Sequence, residues 1–183
     1  MNDGADSQPE QQPYAVDKLI AEARRLAADY RRMTGKPLPG VSNEIAENDA
    51  ARLLDLDLVK DEQCGFGALG RSGQRQGRRI QIKSRTIFDD SKSGHRIGQL
   101  KLDKPWDSVV LVLMDENYEP FEMYEAERED LLEAVGENET SKRARRGALS
   151  VAKFKILGQL IWTREEGQID DGIWDNQHPS DQD

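Results

Sequence analysis

The chain of 183 residues has little cysteine, little histidine and no long apolar run. Its one cysteine, Cys64, excludes an internal disulfide framework and a cysteine-rich zinc site. Its two histidines, His95 and His178, lie in a predicted loop and a predicted tail, which argues against a histidine-based catalytic triad. No apolar run approaches the roughly 18 residues of a membrane span. Residues 1–13 are acidic and polar, unlike a signal peptide, so we expect a cytoplasmic protein without a membrane segment.

The composition indicates one folded domain with solvated tails. Hydrophobic residues make up 36% of the chain, which is low for a globular domain. Charged residues make up 33%, which is high. We therefore predict a disordered N-terminal tail over residues 1–13 and a single domain over residues 14–163. Residues 164–183 are predicted to form an acidic, disordered C-terminal tail.

Charge is distributed unevenly along the sequence. The net charge of −9 argues against a general nucleic-acid binder. However, residues 71–104 contain ten Arg or Lys and three Asp, a local net charge of +7, whereas residues 164–183 contain seven acids and one Arg, a net charge of −6. A basic middle segment suits contact with phosphate groups. Ordinary charge scatter over a solvated loop is the alternative, and charge by itself does not separate the two.

The apolar pattern predicts helices at both ends of the domain and strands between them. A helix over residues 15–33 is followed by a second helix that Ser42 is expected to cap and that ends near Asp55. The nearly continuous apolar stretch at 107–114 predicts a central strand covered on both faces. The other predicted strands are 56–59, 64–70, 79–85, one from Pro120 and 159–163, with helices at 126–135 and 150–157. The predicted fold is α/β (α+β), a mixed central sheet flanked by helices.

The strand at 79–85 carries the first candidate functional residues. Ile80 and Ile82 alternate with polar residues, so Gln81 and Lys83 point to the same face. Metal-dependent cleavage of a phosphodiester needs oxygen ligands for Mg²⁺ and usually a lysine that orients water or stabilises charge. Gln81 offers a carbonyl oxygen, and Glu44 and Glu47 lie on one side of the second helix. We take Lys83, Gln81 and Glu44 as candidate catalytic residues and Glu44, Glu47 and Gln81 as candidate magnesium ligands.

In this order, the helix glutamates and the Gln81-Ile82-Lys83 strand resemble the PD-(D/E)xK nuclease superfamily. Residues 40–162 are more closely similar to an uncharacterised bacterial domain family with the same layout. The matching stretches are EIAE at 44–47, AARLL at 50–54, QIK at 81–83, RIG at 96–98, KLDKPWD at 101–107 and GALSVAKF at 147–154. The resemblance implies a restriction-endonuclease-like fold and a magnesium-dependent hydrolase that acts on DNA.

The chain departs from the superfamily pattern at one position. The superfamily normally places a metal-binding Asp on the strand before the lysine strand, and the matching position here is Gly67. Glycine offers no carboxylate, and Asp61 and Glu62 reach the site only if the strand shifts. With Gln81 also neutral, the resemblance implies weak metal binding and impaired catalysis.

Each candidate also has a simpler interpretation. Lys83 on an edge strand protects the edge from aggregation, and first-turn glutamates are favoured by the helix dipole. The leading hypothesis is a nuclease-like domain that binds or cleaves DNA, with RNA as a second nucleic-acid partner. The alternatives are a non-catalytic nucleic-acid-binding or protein-interaction module and a structural accessory protein. The candidate nucleic-acid-binding residues are Arg79, Arg85, Arg96, Lys101 and Lys104.

Overall fold

Helices and strands follow one another in the order that the apolar pattern predicts. The computed structural model describes residues 13–61, 63–92, 94–137 and 149–169. The helices in these ranges are α1 (Pro13–Thr34), α2 (Val41–Leu54), α3 (Arg128–Glu137) and α4 (Val151–Leu157), with a 3-10 turn at Gly73–Arg75. The strands are β1 (Leu56–Leu58), β2 (Ala68–Gly70), β3 (Arg79–Thr86), β4 (Ser108–Met114), β5 (Pro120–Glu127), β6 (Gln159–Thr163) and β7 (Gly167–Gln168). None of the helices described is long and apolar enough to cross a membrane.

The seven strands form one mixed sheet in the order in which they occur along the chain. Strands β3 and β4 are parallel, with Ile80 opposite Ser108 and Thr86 opposite Met114. The other neighbouring pairs are antiparallel. The crossover from β3 to β4 runs through residues 87–107, and this connection carries four of the ten basic residues of the predicted basic segment. The predicted α+β class with a mixed sheet and flanking helices is confirmed.

The sheet separates two apolar cores because every residue of β4 is buried. On one face, Val110 and Val112 pack with Ile80, Ile82 and residues of α1 and α2. On the other face, Val109 and Leu111 pack with residues of α3 and α4. Burial of each large side chain stabilises the fold by about 1.5–3 kcal/mol. The prediction of a central strand covered on both faces is therefore confirmed.

Helix α2 begins at a glycine rather than at a capping serine. Gly40 precedes the helix with φ 83°, and no side chain caps the first turn. Ser42 lies inside the first turn, so the prediction that it caps α2 is wrong. The left-handed backbone at Gly40 favours glycine, which has no Cβ to clash. At the other end Asp55 is the C-terminal cap, so α2 ends near Asp55 as predicted.

Helix α1 carries apolar residues on two sides, and only one side faces the core. Ala27 is fully buried, and Ile20 packs against the core from its edge. Leu19 and Leu26, on the other side, are 61% and 62% exposed. Arg24 anchors the helix through Asp49, which is 2% exposed, with N–O distances of 2.7 and 2.9 Å. A guanidinium–carboxylate pair therefore joins α1 to α2.

Several element boundaries differ from the predicted ones. Strand β2 begins at Ala68 rather than at 64, and α3 begins at Arg128 because Ala126 still belongs to β5. The sheet continues past the predicted domain end at 163, since β7 pairs with β6 and Gln168 donates to the Leu53 carbonyl at 2.8 Å. Helix α1 begins at Pro13, within the predicted tail. The remainder of the two predicted tails, residues 1–12 and 170–183, lies outside the described residues.

Candidate functional site

The candidate site lies where helix α2 passes the open edge of β3. Strand β2 pairs with only Arg79 and Ile80, so it leaves the edge of β3 uncovered from Gln81 onward. Helix α2 packs on the sheet through Ile45 and Ala46, which are fully buried. Glu47, the next residue, is half-buried and faces this edge. The apolar face of α2 packs on the Ile80–Ile82 face of β3, whereas Gln81 and Lys83 lie on the other face, so Glu47 meets them at the open edge.

Gln81 is a buried amide with one partner. Its side chain is 4% exposed, and its Oε1 accepts a long hydrogen bond of 3.4 Å from the main-chain N–H of Lys101. Its Nε2 has no hydrogen-bond partner among the described residues. Because Oε1 already accepts from an N–H donor, Gln81 links β3 to the crossover loop by a hydrogen bond. It is a poorer metal ligand than its position in the sequence indicated.

Lys83 and Glu47 face each other, and burial acts on both. Burial lowers the pKa of the Lys83 ammonium, Lys101 lowers it further, and Glu47 opposes the decrease. Burial likewise raises the pKa of the Glu47 carboxyl, Glu44 adds to the increase, and Lys83 and Lys101 oppose it. The structure thus brings together Glu47, Lys83 and Lys101, with Glu44 exposed beside Glu47. Perturbed ionisable groups of opposite charge in one place are typical of functional sites.

A short polar chain extends the site along α2. Asn43 donates to Glu47 Oε1 at 3.3 Å, and Ser84 donates to Asn43 Oδ1 at 3.1 Å. These contacts orient the Glu47 carboxylate relative to β3. Neither Asn43 nor Ser84 was selected from the sequence. Asn43 and Glu47 are four residues apart on α2, and this spacing could have indicated their contact from the sequence. The contact of Ser84 with α2 depends on packing alone.

Gly67 borders the same carboxylate. It comes directly before β2, and its N–H donates to the Ile80 carbonyl at 3.0 Å. A Cβ built on Gly67 would lie 3.9 Å from Glu47 Oε1, with no other neighbour within 4 Å. The position that the sequence matched to a metal-binding Asp therefore opens onto the site, and there is space for a side chain.

The donor set present does not fit a magnesium site. Mg²⁺ is usually held by one or two carboxylates together with waters and substrate phosphates. Within the described ranges, no group of three or more His, Cys, Asp or Glu side chains is arranged to hold a metal ion. Lys83 and Lys101 are close enough to Glu47 to affect its pKa, their positive charges oppose a cation, and the Gln81 oxygen is occupied.

The predicted nucleic-acid-binding residues fall into two groups. Arg79 is engaged by Asp107, with N–O distances of 2.8 and 3.1 Å, and the guanidinium holds the pKa of that carboxyl at about 2. This pair joins the start of β3 to the start of β4. The other four, Arg85, Arg96, Lys101 and Lys104, are exposed at the end of β3 or in the crossover loop.

The crossover loop is anchored beneath these exposed cations. Trp106, 1% exposed, donates from Nε1 to the Lys101 carbonyl at 2.7 Å. The Arg128 guanidinium lies 4.4 Å from the centre of the Trp106 ring and donates to the Lys104 carbonyl at 2.9 Å. Lys101 Nζ lies 3.5 Å from the Cys64 carbonyl oxygen. These contacts anchor the end of the loop around residues 101–106, and they place Lys101 close to Lys83.

The chain matches no protein-family model and no curated protein.

Proposed function

We propose that the chain is a nuclease-like domain of the restriction-endonuclease-like fold that binds DNA at the α2–β3 edge and cleaves it weakly or not at all. One observation carries the proposal. Glu47, Lys83 and the position of Gly67 converge on one edge of a mixed sheet, although they come from three separate segments. This convergence supports the superfamily resemblance, because a carboxylate on the helix and a lysine on the strand are two of its expected parts.

Binding follows from the cations around this edge. Lys101 and Lys104 are exposed on an anchored loop, and Lys83 is half-buried close to Lys101. Exposed lysines and arginines attract the phosphate backbone, and each phosphate contact releases counterions. An ordered loop loses less conformational freedom on binding than a flexible one. The backbone of DNA, with RNA as the second nucleic acid, is therefore the partner that this surface favours.

Weak or absent cleavage follows from the ligands that are missing. Gly67 contributes no carboxylate, Gln81 is neutral and already hydrogen-bonded, and Glu47 is the one carboxylate that directly faces Lys83 among the described residues. Lys83 and Lys101 can hold a phosphate, but without a metal or another activating group the attacking water keeps its high pKa. The site is thus built to hold a phosphodiester rather than to hydrolyse it.

The experiment measures binding and cleavage on the same labelled substrates. Fluorescence anisotropy at low ionic strength should detect binding of duplex DNA, with single-stranded DNA and RNA of the same sequence as comparisons. Gel analysis after incubation with Mg²⁺ should show little or no product. A chain that ends at residue 169 removes the acidic C-terminal segment and tests whether it weakens binding. Efficient magnesium-dependent cleavage by the unmodified chain would contradict the proposal.

A protein-interaction module is the second candidate, and α1 provides the observation that favours it. Leu19, Leu26 and Met33 recur every seven residues and are 61%, 62% and 88% exposed. Apolar side chains repeated at this spacing form one stripe along a helix. If neither DNA nor RNA binds at low salt, this candidate replaces the first.

A further inference from the structure

Helix α1 carries an apolar stripe on a side that does not face the core. Its six residues follow one another at alternating intervals of three and four, and we call them the outer stripe: Val16, Leu19, Ala23, Leu26, Tyr30 and Met33. Five are large apolar side chains with exposed surface, and Ala23 between them is half-buried. A helix with this spacing presents a continuous apolar seam to another helix.

The outer stripe is not what holds α1 on the domain. Ala27 and Ala28 are buried in the core, and Ile20 packs against it. Arg24, on the same side of the helix, pairs with Asp49 of α2. The outer stripe is therefore left largely facing solvent, and a contiguous exposed apolar patch on a folded domain marks an interaction surface.

A row of alternating charge follows the outer stripe on the side away from the core. In chain order it reads Lys18, Glu22, Arg25 and Asp29, at intervals of four, three and four residues. Lys18, Glu22 and Arg25 are exposed, and Asp29 is partly exposed. Asp29 also pairs with Arg32 of the same helix, and both side chains are at least half-exposed. An exposed pair of this kind is weak, so Asp29 remains available to a partner.

The charges of this row are complementary to the same row read in reverse. When two copies of α1 lie antiparallel about a two-fold axis near Ala23, Lys18 comes opposite Asp29 of the second copy. Glu22 likewise comes opposite Arg25 of the second copy, and the symmetry repeats both pairs. In a parallel arrangement each residue of the row would meet its own copy, and like charges would oppose one another. The charge pattern thus favours an antiparallel second copy.

The outer stripe has the same symmetry as the charged row. About the same axis, Val16 comes opposite Tyr30 of the second copy and Leu19 opposite Leu26. Ala23 meets its own copy on the axis, where its small side chain lets the two helices approach closely. Apolar residues therefore meet apolar residues in the arrangement that also joins opposite charges.

We propose that the outer stripe of α1 binds a second copy of this chain as an antiparallel helix pair. Apolar contacts along the stripe hold the pair together, and the charged row sets its direction and register. One helix face from each copy makes a small interface, and complexes with less than about 1,200 Å² of total buried surface are usually weak. The dimer is therefore reversible and depends on concentration. The inference does not rest on DNA binding at the α2–β3 edge.

Sedimentation equilibrium of the full chain at increasing concentration tests the pairing. The average mass should rise from that of one chain toward that of two. Leu26→Ser should raise the dimer Kd by about a hundredfold, because each dimer loses two leucine side chains from its apolar contacts. Ile156→Ser, at an exposed isoleucine of α4, is the matched control and should leave the Kd unchanged. Circular dichroism of each variant confirms that it is folded.

Charge exchange in the row tests the direction of the pair. Glu22→Lys and Arg25→Glu should each raise the Kd by about tenfold, because two attractive pairs in each dimer become repulsive. An equimolar mixture of the two variants should recover the Kd of the unmodified chain. In the mixed dimer, the introduced lysine of one chain faces the introduced glutamate of the other, and the remaining native pair is intact.

Three outcomes overturn the proposal. The first is an unmodified chain that keeps the mass of one molecule at every concentration. The second is a dimer whose Kd does not change in Leu26→Ser. The third is a mixture of the two charge variants that associates no better than either variant by itself, which would exclude an antiparallel pairing of α1.

Discussion

Glu47 and Gly67 face each other across the open edge of β3. A Cβ on Gly67 would lie 3.9 Å from Glu47 Oε1 and would meet nothing else within 4 Å. The backbone at Gly67 is outside the left-handed region, because no positive φ is found there. A side chain at this position therefore costs neither a steric clash nor backbone strain, and an added carboxylate would stand beside an existing one.

Replacing Gly67 with aspartate should create metal affinity. The pair of carboxylates from Asp at 67 and from Glu47 would offset the charges of Lys83 and Lys101, and one or two carboxylates usually hold Mg²⁺. We expect Gly67→Asp to bind Mg²⁺ in calorimetry and to show magnesium-dependent DNA cleavage above that of the unmodified chain. Gly67→Asn, of the same size but uncharged, is the control and should gain neither property.

Lys83 should be essential for any cleavage gained in this way. In the Gly67→Asp background, Lys83→Ala should lower the cleavage rate by about two orders of magnitude, the usual effect of removing one group that stabilises transition-state charge. Metal affinity should rise or stay the same, since a neighbouring positive charge is lost. If the Gly67→Asp chain folds but neither binds Mg²⁺ nor cuts DNA, the resemblance to nucleases would concern the fold and not the activity.

Glu47 should make stability fall as pH rises from acidic to neutral values. Burial raises its pKa above the ordinary value of 4.5, so the folded chain holds the proton more firmly than the unfolded chain. The contribution of protonated Glu47 to the free energy of unfolding is complete below pH 4.5. It is lost as the pH rises through the pKa of Glu47 in the folded state. Glu47→Gln should raise the free energy of unfolding at neutral pH by less than about 1 kcal/mol, because water still screens a half-exposed carboxylate.

Urea unfolding at neutral pH and below 4.5 measures this effect. The difference between Glu47→Gln and the unmodified chain should vanish at the acidic pH, where both side chains are uncharged. Glu22→Gln, at an exposed position on α1, is the control and should change stability little at either pH. A Glu47→Gln chain that is less stable at neutral pH would mean that the attraction of Lys83 and Lys101 outweighs burial.

Lys101 and Lys104 should contribute to the salt dependence of DNA binding. If each contacts one phosphate, replacing both with glutamine should reduce the slope of log K against log salt by about 1.8 on duplex DNA, at about 0.9 per contact. Lys36→Gln, at an exposed lysine between α1 and α2, should leave the slope unchanged. An unchanged slope in the double variant would place the DNA on another surface.

The Arg24–Asp49 pair should be important for stability. Asp49 is 2% exposed and also lies 3.5 Å from Arg52, and Arg24 contacts Glu119 at 3.4 Å. Asp49→Ala leaves the largely buried Arg24 guanidinium without its main partner. The free energy of unfolding should therefore fall by about 3 kcal/mol. Asp29→Ala, which breaks the exposed pair with Arg32, should change stability by less than about 1 kcal/mol. Thermal unfolding of both variants measures the difference.

Part of the site could be predicted because it depends on local periodicity. Alternation along a strand places Gln81 and Lys83 on one face, and helical spacing places Glu44 and Glu47 on one side of α2. The same patterns predicted β4 as a strand covered on both faces and the last helix from Ser150, whose side chain accepts from the Lys153 N–H at 3.1 Å. These features need only the geometry of one element.

Other features depend on contacts between distant segments, which local patterns do not encode. Glu47 rather than Glu44 faces Lys83, because the rotation of α2 on the sheet is decided by its whole buried face. The engagement of Arg79 by Asp107 depends on the return of the chain after a long crossover.

The sequence by itself determined which elements form and which polar residues share a face, because both follow from periodicities of about 3.6 and 2 residues. It also determined that position 67 carries no carboxylate. Tertiary structure alone decided which charges meet, which cations are already paired and which buried polar atoms remain without partners. Those outcomes depend on helix rotation, loop path and packing, and these are settled by the whole core at once rather than by any one segment.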